Sequence, residues 1–249
     1  MAQVTFRRPL RASEQRRVPD DRTTGAVEVE DEVTELDADG HVDAESRSAR
    51  KRRAITEAAT TLFLRQGYQG TSMDEIAALA QVSKQTVYKH FADKEQLFSA
   101  IILGITNRAE AFAQAVPLLL QDTDNLEQAL RTLARRYIRS VITPPVLQLR
   151  RLVIAEAGRF PALARAYYER APERVIAALA SALQQLADHG RVRLDDPLLA
   201  ANHLAFLILA IPLDRAMFCG DESVTAAELD RCADAGVRVF LAAYGAHTP

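Results

Sequence analysis

The sequence predicts an all-α protein: an N-terminal three-helix module carrying a helix-turn-helix, followed by a C-terminal helical bundle for ligand binding and dimerisation, about nine helices in all. The composition favours it, because a chain of 249 residues rich in Ala and Leu carries only ten Gly and ten Pro, so helix formers far outnumber breakers. Apolar residues then recur at spacings of three and four from residue 55 onward, and capping residues stand ahead of most of these runs.

Residues 1–46 come first and stand apart. They hold few large apolar side chains and no helical or strand period, so the expectation is a disordered charged arm. Its first half is basic (Arg7, Arg8, Arg11, Arg16, Arg17, Arg22) and its second half acidic, from Glu28 to Glu45. It reads either as a solvated tail, even one from a start codon placed too early, or as a cluster that grips phosphate or minor groove under acidic restraint.

A first helix follows Arg53, with Ile55, Ala58, Ala59, Leu62 and Phe63 on one face and Gly67 as its stop. Ser72 with Glu75 three residues on forms a capping box for a short second helix, whose apolar face is Met73, Ile76, Ala77 and Ala80. Ser83 caps a short third helix, and the two joined through 80–82 make a helix-turn-helix. Asp93 caps a fourth helix through Leu97, Phe98, Ile101, Ile102 and Ile105, extending to about Ala115. The module is placed at 47–95 and the second domain at 96–249. Within the latter, Pro and Gly signals separate five further helices near 126–142, 146–157, 162–188, 197–218 and 225–244.

The net charge of −2 hides a basic middle: Arg47, Arg50 to Arg53, Arg65, Lys84, Lys89 and Lys94 outnumber the acids between Ser46 and Glu95. Cys219 and Cys232 have neither zinc spacing nor a disulfide framework, so no metal or other cofactor is expected and a reducing cytoplasm fits. The N-terminus lacks the apolar run of a signal peptide, and no later run reaches membrane-spanning length without a charge or a proline, so no membrane partner is expected. Phosphate-binding Gly loops, nucleophile elbows and HExxH are absent, which gives an enzyme no support.

The stretch from Arg50 to Ile102 resembles the DNA-binding domain of the tetracycline-repressor (TetR) family. The likeness is densest at Phe63 with Gly67-Tyr68, at Thr71 to Ala77, and at Val82-Ser83-Lys84-Gln85-Thr86-Val87-Tyr88-Lys89-His90-Phe91 followed by Lys94 to Leu97. Residues 150–201 are similar to the C-terminal domain of the AefR-like branch. Gln81 stands where the family commonly has Gly; if that turn needs positive φ, Gln costs about 1 kcal/mol there.

The second helix of such a motif enters the major groove, so Lys84, Gln85 and Thr86 are the expected base readers, with Ser83 at the head of their helix. The resemblance implies that Tyr88 and His90 touch phosphate or groove edge, with Ser72 and Lys94 on phosphates at helix N-termini; Lys89 and Arg50 complete the set. Arg50 to Arg53 oppose the dipole of a helix starting there, a conflict that an external anion resolves. One motif covers too few base pairs, so a homodimer on palindromic double-stranded operator DNA is expected. Its interface candidates are Leu199, Leu204, Leu207, Leu209, Val237, Val239, Phe240 and Tyr244, with intrachain core as the competing reading. A small-molecule effector, apolar and uncharged or aromatic, would be lined by Phe98, Ile102, Ile105, Phe112, Tyr137, Ile154, Phe160, Tyr167 and His203, with Arg150 or Arg151 able to admit an acid. His203, in an apolar run, needs a polar partner if buried. The expected function is a ligand-released repressor; the alternative is an architectural or adaptor DNA binder with no effector.

Overall fold

The computed structural model describes residues 42–121, 124–220 and 224–246. The charged arm expected at 1–46 lies outside the described residues up to 41, and helix α1 (Val42–Gly70) already begins within its last part. The remaining helices are α2 (Met73–Leu79), α3 (Lys84–His90), α4 (Lys94–Ile105), α5 (Asn107–Leu120), α6 (Leu126–Val141), α7 (Pro144–Glu156), α8 (Pro161–Tyr168), α9 (Arg174–Asp188), α10 (Pro197–Cys219) and α11 (Ala226–Tyr244).

The local chemistry explains the ends. Gly67 takes φ 72°, ψ 175° and kinks the end of α1, a conformation that penalises any residue with a Cβ. Ser72 and Glu75 close the capping box at α2, Thr225 and Glu228 close another at α11, and Ser83, Asp93, Asn125 and Asp196 each cap a helix by accepting a backbone N–H. Prolines open α7, α8 and α10, where the missing N–H is no loss. In contrast, Pro117 and Pro212 sit inside α5 and α10, so neither proline ends its helix.

Two segments depart from the expected rods. The fourth helix stops at Ile105, and α5 starts at Asn107, with Thr106 between them at φ −64°, ψ −17° and its hydroxyl donated to Leu103 O. Between α8 and α9 the chain widens into a π turn, Glu169–Glu173, where Pro172 cannot supply its amide. Counting each of these pairs as one rod recovers the nine expected.

The buried side chains form two clusters. In the first, Ile55 and Phe63 of α1, Ile76 of α2, Val87 of α3 and Leu97 to Ile102 of α4 meet Leu149 and Val153 of α7 and Tyr167 of α8, so this core runs past residue 95. In the second, Phe112 of α5 and Leu130 and Ile138 of α6 pack with Leu183 of α9, Leu204 of α10 and Phe240 of α11. Close helix approach holds the α10–α11 pair: a Cβ at Gly236 would stand 3.1 Å from the Leu207 carbonyl group. Among the described residues there is no strand beyond an isolated bridge between Val192 and Gly245.

Candidate functional site

The turn between α2 and α3 sets the angle of the helix-turn-helix. Gln81 adopts φ +54°, the one described residue other than Gly with positive φ, so the strain that its identity raised is present in the turn. Val87 is buried under the turn, and Lys84, Gln85, Tyr88 and Lys89 stay exposed, with Thr86 and His90 half-buried. A helix with one buried apolar position and a polar outer face is built to touch something outside the protein.

Several of these groups already have partners. Lys84 reaches across to α2 and pairs with Asp74 at 2.7 Å, a hydrogen-bonded contact that raises its pKa. The Ser83 and Thr86 hydroxyls lie 2.8 Å apart, and Ser83 Oγ also accepts from Thr86 N, leaving the Thr86 methyl as its outward group. The Ser72 hydroxyl donates to Glu75 Oε2 at 2.8 Å, and the hydrogen bonds from Ser72 hold the Glu75 carboxyl below the usual range. Burial first, then the cations Arg52, Lys89 and Lys51, pushes the His90 pKa down.

Lys94 has partners inside the protein that the sequence reading did not include. Its ammonium donates to Tyr68 O at 2.9 Å and Thr71 O at 2.6 Å and lies 4.4 Å from the centre of the Tyr68 ring; burial lowers its pKa. It ties the start of α4 to the α1–α2 turn. The helix-dipole argument for Arg50 to Arg53 also falls, because α1 starts at Val42 and the dipole acts only within the first turn. Instead Arg52 stacks 4.4 Å over the buried Phe91 ring and donates to His90 O, pinning α1 to the end of α3. Arg50 is exposed.

A cavity of about 420 Å³ opens at the α4–α5 break, where Phe112, Tyr137 and Leu209 of the second cluster face Tyr167 of the first. Four expected residues line it: Ile105, Phe112, Tyr137 and Tyr167. Phe98, Ile102 and Phe160 do not: they are held inside the first cluster, where Phe63, Tyr68, Phe98 and Phe160 pack ring on ring at 4.8–5.8 Å. Ile154 is 59% exposed on α7. His203 is exposed too, and its Nδ1 lies 2.6 Å from Tyr244 Oη, so the polar partner exists without burial. Arg150 lines the cavity, whereas Arg151 is spent on the carbonyls of Ala216 and Met217. Thr106, Ser140, Asn202, Phe206 and Leu209 also line it and went unforeseen in this role, since their meeting depends on α5, α6 and α10 converging.

The interface candidates divide. Leu204, Val237 and Phe240 are core, Leu209 is buried on the cavity wall, and Leu199, Leu207 and Val239 are 51%, 42% and 53% exposed. Phe206, Ile211 and Phe218, at 65%, 77% and 87% exposure, extend that apolar row along α10 and were not anticipated.

Comparison with known proteins agrees with both halves of the fold. Residues 55–101 match the family described as bacterial regulatory proteins, tetR family, and residues 128–246 match the AefR-like transcriptional repressor C-terminal domain. The chain is similar to a crystallised TetR-family transcriptional regulator of Mesorhizobium loti (48% identity, 80% of this chain and 98% of that one, TM-score 0.73). It is also similar to the flavonoid-responsive regulator FrrA (34% identity, 80% and 100%, TM-score 0.65). Among curated relatives, the HTH-type transcriptional repressor NicS of Pseudomonas putida is 34% identical over 84 residues, 34% of this chain and 38% of that protein. The HTH-type regulator YhgD of Bacillus subtilis is 37% identical over 81 residues, 32% of this chain. The matches span about two fifths of the length of these curated relatives. The chain belongs to the TetR family of transcriptional regulators.

Proposed function

We propose that the protein is a cytoplasmic repressor that binds a palindromic operator as a homodimer and releases it when a small molecule fills the cavity at the α4–α5 break. The observation that carries this is the position of the cavity: its wall includes Ile105 and Thr106, where α4 ends, and the other end of α4 is clamped through Lys94 to the turn that introduces the helix-turn-helix. A ligand that favours one setting of that break shifts the spacing of two reading heads; one equally content with both settings shifts nothing.

On the DNA side, Gln85 and the Thr86 methyl read base edges, and Lys84 does so after leaving Asp74 for the groove. Arg50, Tyr88, Lys89 and His90 serve phosphates, and the Ser72 and Ser83 hydroxyls hold the helix starts in place. The dimer forms on the apolar row of α10 with Val239 of α11; a row this exposed and apolar is the ordinary mark of an interface. The responsiveness of FrrA to flavonoids, named for that protein, supports a cavity that takes aromatic molecules here.

Selection of bound duplexes from a random pool tests the reading. The expected outcome is a palindrome with half-sites about one helical turn apart, bound by two chains. Enrichment without a palindrome refutes the dimeric operator, and a bound complex that no cavity ligand dissociates refutes the repressor released by an effector.

A further inference from the structure

The cavity walls are mainly apolar and aromatic: Phe112 and Tyr137 stack at 5.2 Å with 25° between planes, and Phe206 closes the α10 side. The polar groups fall into two kinds. Thr106, Ser140 and Asn202 already donate to the carbonyls of Leu103, Tyr137 and Leu198. By contrast, the hydroxyls of Tyr137 and Tyr167 have no hydrogen-bond partner among the described residues, although the two residues are only 6% and 8% exposed. Arg150, half-buried, meets no carboxylate among the described residues. Its charge is felt at both tyrosines, where it opposes the rise in pKa that burial causes.

Two tyrosine hydroxyls, the half-buried guanidinium of Arg150 and the exposed one of Arg108, on an otherwise apolar and aromatic wall, favour an acceptor that carries negative charge. Guanidinium offers a planar fork that matches a carboxylate. We infer that the effector is an aromatic monocarboxylate, its ring system between Phe112 and Phe206 and its carboxylate received by Arg150 with the hydroxyls of Tyr137 and Tyr167. Arg108 and Asp214, both exposed, also line the cavity with opposite charges, which leaves Arg150 as its one half-buried ion and the ligand with one carboxylate to match it. The cavity volume of about 420 Å³ lies in the range of small-molecule sites. This inference rests on the cavity being the effector site.

Calorimetric titration of the full chain tests it with benzoate, 2-naphthoate and biphenyl-4-carboxylate, each beside its primary amide. At least one acid should bind tenfold or more tighter than its amide, about 1.4 kcal/mol, and R150M should erase that difference. Y137F, which removes one oxygen, should cost that acid several-fold. The acid-to-amide ratio in the unaltered protein needs no variant, and the melting temperature of unliganded R150M reports whether that variant folds. The inference is overturned if no acid outbinds its amide, or if the ratio survives in R150M. Operator release separates the two readings: amides that bind and release operator leave the effector site standing while removing the acid. An acid that binds through Arg150 without releasing operator keeps the acid site and refutes its role as effector.

Discussion

Replacing Lys94 with Met separates a structural cation from a DNA-contacting one. Methionine keeps the apolar stem but deletes the ammonium, leaving the carbonyls of Tyr68 and Thr71 without donors and removing the cation from the Tyr68 ring. Hydrogen bonds to a charged donor contribute about 1.5–3 kcal/mol each, and a cation over an aromatic face adds about 0.5–1 kcal/mol. The lowered pKa of Lys94 shows that desolvation offsets part of this, so the net loss is placed at about 2–3 kcal/mol. For a chain of this size that lowers the melting temperature by roughly 5–10 °C. Thermal and urea melts followed by helical circular dichroism give the stability. Operator affinity against salt, measured well below the melting point, gives the phosphate count. A phosphate contact predicts the opposite pattern: unchanged melting and a salt slope shallower by about one. That result would refute the clamp.

Further perturbations probe the rest. Q81G should relieve the φ +54° turn and, after the extra chain entropy of glycine, raise stability by about 0.5 kcal/mol in the same melts; a loss would mean that Gln81 makes a contact worth more than its strain. I211E, at a site 77% exposed, should leave monomer stability intact and convert dimer to monomer in sedimentation, with loss of operator binding. Asp234 is held below the usual carboxylate range by its hydrogen bonds from Arg135 at 2.9 and 2.6 Å, so its contribution is present above the unfolded pKa and lost as pH falls through the folded one. D234N should remove about 0.5–1 kcal/mol at pH 7, Arg135 being partly exposed, and flatten the stability curve below about pH 4. His90 has a lowered pKa, so it is neutral at pH 7; if it meets phosphate, operator affinity should rise as pH falls below the ordinary histidine range, and H90Q should abolish that rise.

The elements and the motif were legible because their causes are local. Caps such as Ser72, Ser83 and Asp93 act on amides three residues away, and Gly67 reports its own backbone demand, so the order of residues alone specifies where these helices start and stop. The exposed face of α3 followed from the same periodicity.

The partners of charged and apolar groups were not legible, because they are chosen across long separations. Lys94 finds carbonyls 26 and 23 residues back, Lys84 finds Asp74 on the preceding helix, and His203 finds Tyr244 on the last one. Phe98 and Phe160 carry the same apolar signature as Phe112, yet ring packing with Phe63 and Tyr68 takes them into the first core and only Phe112 reaches the cavity. Periodicity names the buried side of a helix but not what lies opposite it. The sequence by itself therefore determined most of the helices, the helix-turn-helix and the family. Only the tertiary structure decided which side chains surround the cavity and which cations hold the protein together, because those depend on how separate helices converge.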